Sequence, residues 1–526
     1  MIPGILLVAS SAILGGVLAL AARRRPILLE LTRTFAFAAA FGVVGFHLVP
    51  EILPSLGFEA LIWIAAGFAL PWILEAVARM LGPGFLSRRG MHGLRVAAEV
   101  AFIALVFHSV VEGLALLTVV QSSERATDVQ LAILAHHAPL TAAVALPFLE
   151  LRGARSAAAR VAVVGLSGVA GILLGHAVPG LASGTDAGLV QRATAMTAGA
   201  LLHVVSDEIR EQRFETRWER LADILAGVLG LGLAGLGAFL DLRNETSVVA
   251  VARASVALAL CAAPALLVGL AFRWATMRFT PRSAEPARAA AAGVFPLWAL
   301  LGVAAAAVRV VLGALFWSLG RRLAALRPQR ARPLVEEYAA RAPPVFALFL
   351  LAAGTDALAP PELFSSVAPP IAVSLVLALF AQASASGAAL VAAALVHRGL
   401  PANLAIPFLA LGSLPVRRTT LARGAALALA GVAAALAASA ALARTELSDR
   451  ALRMLEASFA GSQDRVAAQL ASAPAQTACL ALVVVLGVAM IYRNGVRGWF
   501  LPLRHPDLRI VLPSASAESA SPEATR

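Results

Sequence analysis

The sequence predicts an all-α polytopic membrane protein. Hydrophobic residues make up 60% of the chain, charged residues only 14%, and the mean hydropathy is +0.83. This composition excludes an ordinary soluble domain. Apolar runs of about 20 residues, the length a helix needs to cross the hydrocarbon core, recur from the first residues to about residue 492. The basic residues lie between these runs, which indicates topology signals, so no nucleic-acid partner is expected.

The first half, residues 1–245, predicts eight membrane spans with both ends outside. The spans are placed near residues 4–22, 32–50, 57–79, 98–120, 129–150, 159–180, 190–209 and 221–241. With this count the arginines gather in alternate loops, at 23–33, 79–95, 152–160 and 210–220. The opposite side receives only Arg125, Arg192 and Arg243. This asymmetry follows the positive-inside rule.

The second half, about 249–492, predicts a further helical membrane domain with re-entrant segments. Its apolar runs are 249–272, 290–318, 344–359, 363–382, 384–397, 402–416, 421–442 and 474–492. Several are too short to cross alone, and prolines interrupt them, as in transporters that expose backbone groups at a binding site. Tight packing of glycine and proline explains the same breaks equally well. An extramembrane amphipathic helix is expected within 443–472 and a disordered tail over 504–526.

A histidine followed by a carboxylate four residues later occurs three times in the first half. The pairs are His47 with Glu51, His108 with Glu112, and His203 with Asp207. Residues i and i+4 of a helix share a face, so each pair offers an imidazole nitrogen and a carboxylate oxygen to one spot. Zinc, iron(II) and manganese accept these ligands. Ionisable groups are costly in lipid without a partner or a wet cavity, so the pairs predict a metal pathway.

Simpler explanations exist for two of these pairs. His108 and Glu112 would also serve as an interhelical hydrogen bond that holds a bundle together. His47 and Glu51 are equally well explained by a position at the membrane surface.

The fifth predicted span adds the adjacent histidines His136 and His137, followed by Pro139. Proline has no N–H, so a carbonyl one turn earlier loses its donor beside His136. Irregular backbone at membrane depth is tolerated where it lines a cavity. Both cysteines, Cys261 and Cys479, lie in apolar runs of the second half, which excludes a cysteine-based zinc site.

Several motifs resemble the ZIP (Zrt/Irt-like) metal transporters. They are HLVPE ending the second span, HSVVEG in the fourth, HHAP in the fifth and LLHVVSDEI in the seventh. The resemblance covers residues 1–245 and implies an eight-helix bundle in which zinc, or iron or manganese, passes between the fourth and fifth helices. It implies metal-binding residues at His108, Ser109, Glu112, His136 and His137, with weaker candidates at His203, Asp207, Glu208, His47 and Glu51.

Two departures from the family pattern bear on transport. Leu140 stands where the family commonly has a carboxylate one turn after the histidine of the fifth span, and Ser109 stands where asparagine is frequent. The site therefore loses negative charge. A sensor or scaffold that binds metal without moving it is kept as an alternative.

The second half carries a further resemblance and a rival. Residues 359–415 resemble one repeat of the predicted permease family that includes arsenical efflux permeases, with a basic-glycine break at His397, Arg398 and Gly399. A permease for another small solute is therefore a second alternative. EEYAAR, residues 336–341, matches a signature of intramembrane prenyl-type proteases. Those enzymes need several intramembrane histidines downstream, and only His397 is available here, in a sequence context that places EEYAAR in a charged loop, so no enzyme is expected.

These interpretations define the expected partners. The substrate is Zn²⁺ or another divalent cation, and no bound cofactor is expected. The chain is expected to cross the inner (cytoplasmic) membrane several times in contact with lipid, and the sequence leaves a homodimer open.

Overall fold

The computed structural model describes most of the chain. The described residues are 2–80, 98–99, 102–103, 105–110, 113, 126–177, 187–212, 214–240, 247–279, 293–323, 334–358, 364, 368–414, 421–459 and 473–504. All regular elements among these residues are helical. Seven of the helices within these ranges are long and apolar enough to cross a membrane. The prediction of an all-α polytopic membrane protein is confirmed.

The helices of the first half follow the predicted spans. They are α1 (Ile2–Arg24), α2 (Pro26–Val43), a π-helical turn (Val44–Leu48), α3 (Val49–Leu56), α4 (Phe58–Met80), α5 (Ala126–Arg152), α6 (Ala154–Ala177), α7 (Ala187–Asp207) and α8 (Arg217–Leu240). The residues described between 98 and 113 are helical and belong to the predicted fourth span, the name we keep for this segment.

Glycine and proline set several of these boundaries. Pro26 begins α2, where its missing N–H costs nothing because the first turn has no intrahelical acceptor. Gly57 (φ 54°) separates α3 from α4, and Gly153 (φ 81°) separates α5 from α6. Glycine adopts positive φ without the steric penalty of other residues, so these two sites end one helix and start the next.

The helices of the second half include short ones. They are α9 (Ser247–Phe279), α10 (Val294–Leu323), α11 (Leu334–Leu358), α12 (Ala368–Ala383), α13 (Ala385–His397), α14 (Ala402–Ala410), a 3-10 turn (Leu411–Ser413), α15 (Leu421–Leu442), α16 (Leu447–Phe459), α17 (Pro474–Asn494), α18 (Val496–Trp499) and α19 (Leu501–Arg504). With 13 and 9 residues, α13 and α14 are too short to cross a bilayer alone. Most of their side chains are buried, as expected of re-entrant segments.

The chain divides into two compact units. The first contains Met1–Ser255, Gly354–Pro369 and Val488–Gly498, and the second contains Val256–Ala353, Pro370–Gly487 and Trp499–Arg526. Two late segments therefore pack with the first half. The domain limits predicted from the sequence, 1–245 and 249–492, stay a prediction.

One helix of the second unit is clearly amphipathic. Helix α16 buries Leu447, Ala451 and Leu455 along one side, whereas Leu452 and Met454 are exposed. It lies within the segment 443–472 for which the sequence predicts such a helix. The predicted disordered tail, apart from residue 504, lies outside the described residues.

Close approaches between helices of the first unit position the candidate site. A Cβ atom on Gly171 of α6 would lie 2.1 Å from the carbonyl oxygen of Val110 in the fourth span. A Cβ atom on Gly15 of α1 would lie 2.5 Å from Cβ of Thr141 in α5. Small residues that allow such approaches are typical of helix packing in membranes. The fourth span is thus held against α6, and α5 against α1.

Candidate metal site

His137 of α5 connects three helical segments of the first unit. Its ring is buried, with 1% of its surface exposed. The Nδ1 atom lies 2.8 Å from the hydroxyl oxygen of Ser11 in α1, and Nε2 lies 3.0 Å from the hydroxyl oxygen of Ser109 in the fourth span. One imidazole therefore bridges α1 and the fourth span.

The two serines also contact their own helices. The Ser11 hydroxyl donates to the carbonyl of Val8 at 2.8 Å, and the Ser109 hydroxyl donates to that of Leu105 at 2.9 Å. A neutral imidazole has one N–H donor and one acceptor nitrogen, so at a neutral His137 one serine must turn its proton toward the ring. Because both nitrogens are engaged, a metal can bind His137 only when one serine gives up its hydrogen bond.

The remaining predicted ligands are described to different extents. His108 is buried in the fourth span, directly before Ser109. Glu112 and the side chain of His136 lie outside the described part of the chain. Within the described residues, no group of three or more histidine, cysteine or acidic side chains is placed to hold a metal ion. The structure brings Ser109 and His137 together, and the complete ligand set stays a prediction.

The turn that follows His137 offers a hydroxyl at Thr141, next to Leu140, the position where the family commonly has a carboxylate. Leu140 and Thr141 are both buried. The Thr141 hydroxyl has no hydrogen-bond partner among the described residues. On a helix Thr141 lies on the same face as His137, so this turn can supply a neutral oxygen but no negative charge.

His203 of α7 is fixed against α4. Its Nδ1 atom lies 3.0 Å from the carbonyl oxygen of Phe68, and its ring meets those of Phe68 and Trp72 edge to face. A ring that donates from Nδ1 has Nε2 as its acceptor nitrogen. The side chain of Asp207, its predicted partner, lies outside the described residues.

Glu208, directly after α7, is engaged by arginine. Its carboxylate accepts a hydrogen bond from Nη1 of Arg497 at 2.9 Å and lies 4.0 Å from Nε of Arg33. Arg497 also contacts the carboxylate of Glu30. This arrangement gives Glu208 a structural partner, while its predicted role in metal binding stays a prediction.

His47 lies in the π-helical turn Val44–Leu48. Single π-helical turns inside α-helices occur frequently at functional sites. The side chains of His47 and Glu51 are outside the described residues, and their role as weaker metal ligands stays a prediction.

Sequence reasoning missed two residues that contact predicted site residues. Ser11 lies 126 positions from His137, and Arg497 lies 289 positions from Glu208. A lone serine in an apolar run and an arginine near the end of the chain carry no local signal for either contact.

Comparison with known proteins supports the motif assignment. Residues 87–238 match the family model described as ZIP Zinc transporter. No curated protein and no solved structure is similar enough to the chain to count as a match. The matched segment contains the fourth, fifth and seventh spans with their histidine motifs, and in this family zinc is the transported substrate and not a cofactor. The resemblance to ZIP zinc transporters is confirmed for residues 87–238, and the several long apolar helices show that the chain is a multi-pass membrane protein.

Proposed function

We propose that the first unit moves zinc, or iron or manganese, along a route between the fourth span and α5. His108, Glu112, His136 and His137 are the proposed ligands, with Ser109 as an exchangeable hydroxyl. The observation that carries the proposal is the hydrogen bond between Ser109 and His137. It joins the two helices that bear the metal-binding motifs.

The chemistry of these side chains suggests how the ion is taken up. A divalent cation requires neutral imidazoles and an ionised carboxylate, so binding competes with protons and weakens at low pH. When the ion reaches His137, it replaces a serine as the partner of one ring nitrogen. The other serine keeps the ring oriented, as partners of metal-binding histidines commonly do.

The membrane setting belongs to the same proposal. Arginines gather in alternate loops, which favours a cytoplasmic location for those loops and an outside location for both ends of the first half. We assign the chain to the cytoplasmic membrane. Leu166, Leu173 and Leu174 of α6 are exposed, which suits contact with lipid. A homodimer stays an expectation.

Zinc uptake tests the proposal directly. The full-length chain is reconstituted into liposomes, and uptake of radioactive zinc is compared with that of Glu112→Gln and His137→Ala. Uptake is expected to fall at least about tenfold in both, since losing a ligand or its orienting partner typically costs 10–100-fold in affinity or activity. His176→Ala is the matched control, because His176 is exposed at the end of α6. Wild-type uptake in both site variants would refute the route.

The sensor or scaffold alternative predicts a different outcome. In that case the purified chain binds zinc at equilibrium, and the binding depends on His137, yet the wild-type chain gives no uptake above empty liposomes. Leu140 is the feature that favours this alternative, because the site lacks one carboxylate to complete the charge balance of a divalent ion.

A further inference from the structure

Helix α10 of the second unit presents a buried side and an exposed side. The buried positions are Gly302, Ala305, Ala306, Arg309, Gly313 and Phe316. The exposed positions include Val303, Val310, Val311 and Leu315. The spacing of the buried set is that of one helix face. Arg309 therefore lies on the face that packs against protein, where α10 meets α13, α14 and α16.

Arg309 also lies deep within its span. The apolar part of α10 runs over Val294–Ser318, which places Arg309 roughly 13 Å from the nearer end at 1.5 Å per residue. Only 1% of the residue surface is exposed. Arginine side chains near helix ends reach water by extending along the helix, but this one is enclosed by protein.

The guanidinium of Arg309 has no partner within the described part of the chain. None of its three nitrogens makes a hydrogen bond there. A buried charge without a partner is strongly unfavourable, and arginine does not escape this cost by losing its proton. The second unit does pair an arginine elsewhere: Arg273, equally buried, binds the carboxylate of Glu337. Arg273 thus has a carboxylate partner within the protein, whereas none of the described residues provides one for Arg309.

The helix that carries Arg309 is interrupted on the face of this arginine, and no described backbone carbonyl accepts a hydrogen bond from its guanidinium. Gly302 interrupts α10 with φ 87° and ψ 173°, two turns before Arg309 on the same face. Helix side chains lean toward the N-terminus, so Arg309 is directed toward this interruption. The helix that restarts after Gly302 begins with N–H groups that lack intrahelical acceptors, at its electropositive end.

From this geometry we propose that the second unit binds a small oxyanion at Arg309. The ligand class is a carboxylate or a tetrahedral oxyanion such as sulfate or phosphate. A guanidinium fork binds two oxygens of such an anion at once. This ligand is an anion and binds in the second unit, so the site is independent of the metal route in the first unit.

Thermal unfolding of the purified full-length chain in detergent tests the site. Sodium sulfate, phosphate and acetate are each compared with sodium chloride at equal ionic strength, for the wild-type chain, Arg309→Met and Arg450→Gln. Arg450, 64% exposed at its side chain, is the matched control. Sulfate and phosphate stabilise folded proteins in general and raise the Tm of all three proteins. Binding at Arg309 is therefore measured by the difference in Tm shift between Arg309→Met and the other two proteins. The acetate arm tests a carboxylate ligand, and the sulfate and phosphate arms test a tetrahedral one.

The expected result is a rise in Tm of about 2 °C over chloride, with at least one oxyanion near tenfold its Kd. This rise appears in the wild-type chain and Arg450→Gln and is absent in Arg309→Met. Equal shifts in all three proteins, or no shift in the wild-type chain, overturn the proposal. If Arg309→Met does not fold, Arg309→Lys replaces it, because lysine keeps the charge without the fork. A full wild-type shift in Arg309→Lys then overturns the proposal, and a shift below half of it supports the site.

Discussion

Arg497 donates a hydrogen bond from Nη1 to the carboxylate of Glu208 at 2.9 Å, although 289 positions separate them in the chain. The same guanidinium binds Glu30 at the start of α2. Beside it, the backbone N–H of Val496 donates to Asp223 of α8 at 2.8 Å. A segment from the end of the chain therefore ties together α2, α7 and α8 at one end of the first unit. A shortened chain that stops at residue 248 would lack this arginine and leave Arg33 as the cation beside Glu30 and Glu208.

The first prediction concerns this contact. Replacing the buried Arg497 by methionine leaves Arg33, 3.3 Å from Glu30 and 4.0 Å from Glu208, as the remaining cation beside the two carboxylates. Breaking a buried ion pair typically costs about 3 kcal/mol or more, and the partial exposure of Glu30 together with Arg33 reduces this to about 1–3 kcal/mol. The free energy of unfolding, measured by denaturant titration in detergent, is expected to fall by about that amount. Arg493→Met is the control, since Arg493 is exposed one turn earlier.

A double variant separates pairing from packing in the same experiment. If Arg497 and Glu208 act as a pair, Arg497→Met combined with Glu208→Gln costs less than the sum of the single changes. Fully additive costs would contradict a direct interaction between the two side chains.

The helix pattern of this chain was largely predictable from the sequence. Membrane spans are local features, because about 20 apolar residues cross the hydrocarbon core wherever they occur and arginines mark the loops between them. The predicted spans 129–150 and 221–241 correspond to α5, Ala126–Arg152, and α8, Arg217–Leu240. The short buried helices α13 and α14 also follow the breaks seen in the sequence.

The candidate site was predictable only in part. The histidine motifs lie within single helices, where spacing alone places side chains on one face. The contact between Ser11 and His137 depends instead on which side of α1 meets α5, and this is set by packing at Gly15 and Thr141. Arg309 lies within the apolar run 290–318, and only the packing of α10 reveals that it faces protein.

Ser11 provides the second prediction. Its hydroxyl lies 2.8 Å from Nδ1 of His137, so Ser11→Ala removes one of the two groups that orient the ring. Loss of an orienting partner commonly reduces metal affinity 10–100-fold, and we expect zinc uptake to require about tenfold more zinc for half-maximal rate. The neighbouring Ser10→Ala is the control, because the exposed Ser10 hydroxyl donates to the carbonyl of Leu7 in its own helix at 2.9 Å. Equal effects of the two changes would show that His137 does not depend on Ser11.

The third prediction concerns the contact between α6 and the fourth span. In Gly171→Ala the added methyl group would lie 2.1 Å from the carbonyl oxygen of Val110, so the two helices must separate. Gly232→Ala is the control, because a Cβ atom there meets nothing within 4 Å. Alanine stabilises a helix by about 1 kcal/mol relative to glycine, and this gain applies to both variants. Gly171→Ala is expected to lower Tm, and Gly232→Ala to leave it unchanged or raise it. A stabilised Gly171→Ala would mean that the fourth span does not pack here.

The fourth prediction distinguishes an ion pair from a catalytic base at Glu337, one of the glutamates in the protease-like stretch EEYAAR. Its buried carboxylate binds the buried guanidinium of Arg273 and accepts a hydrogen bond from Arg341 at 3.3 Å. A carboxylate oxygen that contacts two guanidinium groups serves as their counter-ion, which argues against a role in activating water. Glu337→Gln should therefore lower the free energy of unfolding by about 3 kcal/mol, since Arg273 loses its anion.

Arg341 is the comparison for Glu337, because its side chain is 38% exposed and exposed ion pairs contribute about 0–1 kcal/mol. Arg341→Gln should thus cost far less than Glu337→Gln in the same denaturant titration. If instead Glu337→Gln unfolds like the wild-type chain, the pair with Arg273 is not needed for stability. A buried carboxylate that stability does not require would then favour the hydrolase interpretation, which hydrolysis of a prenylated peptide by the purified chain would test.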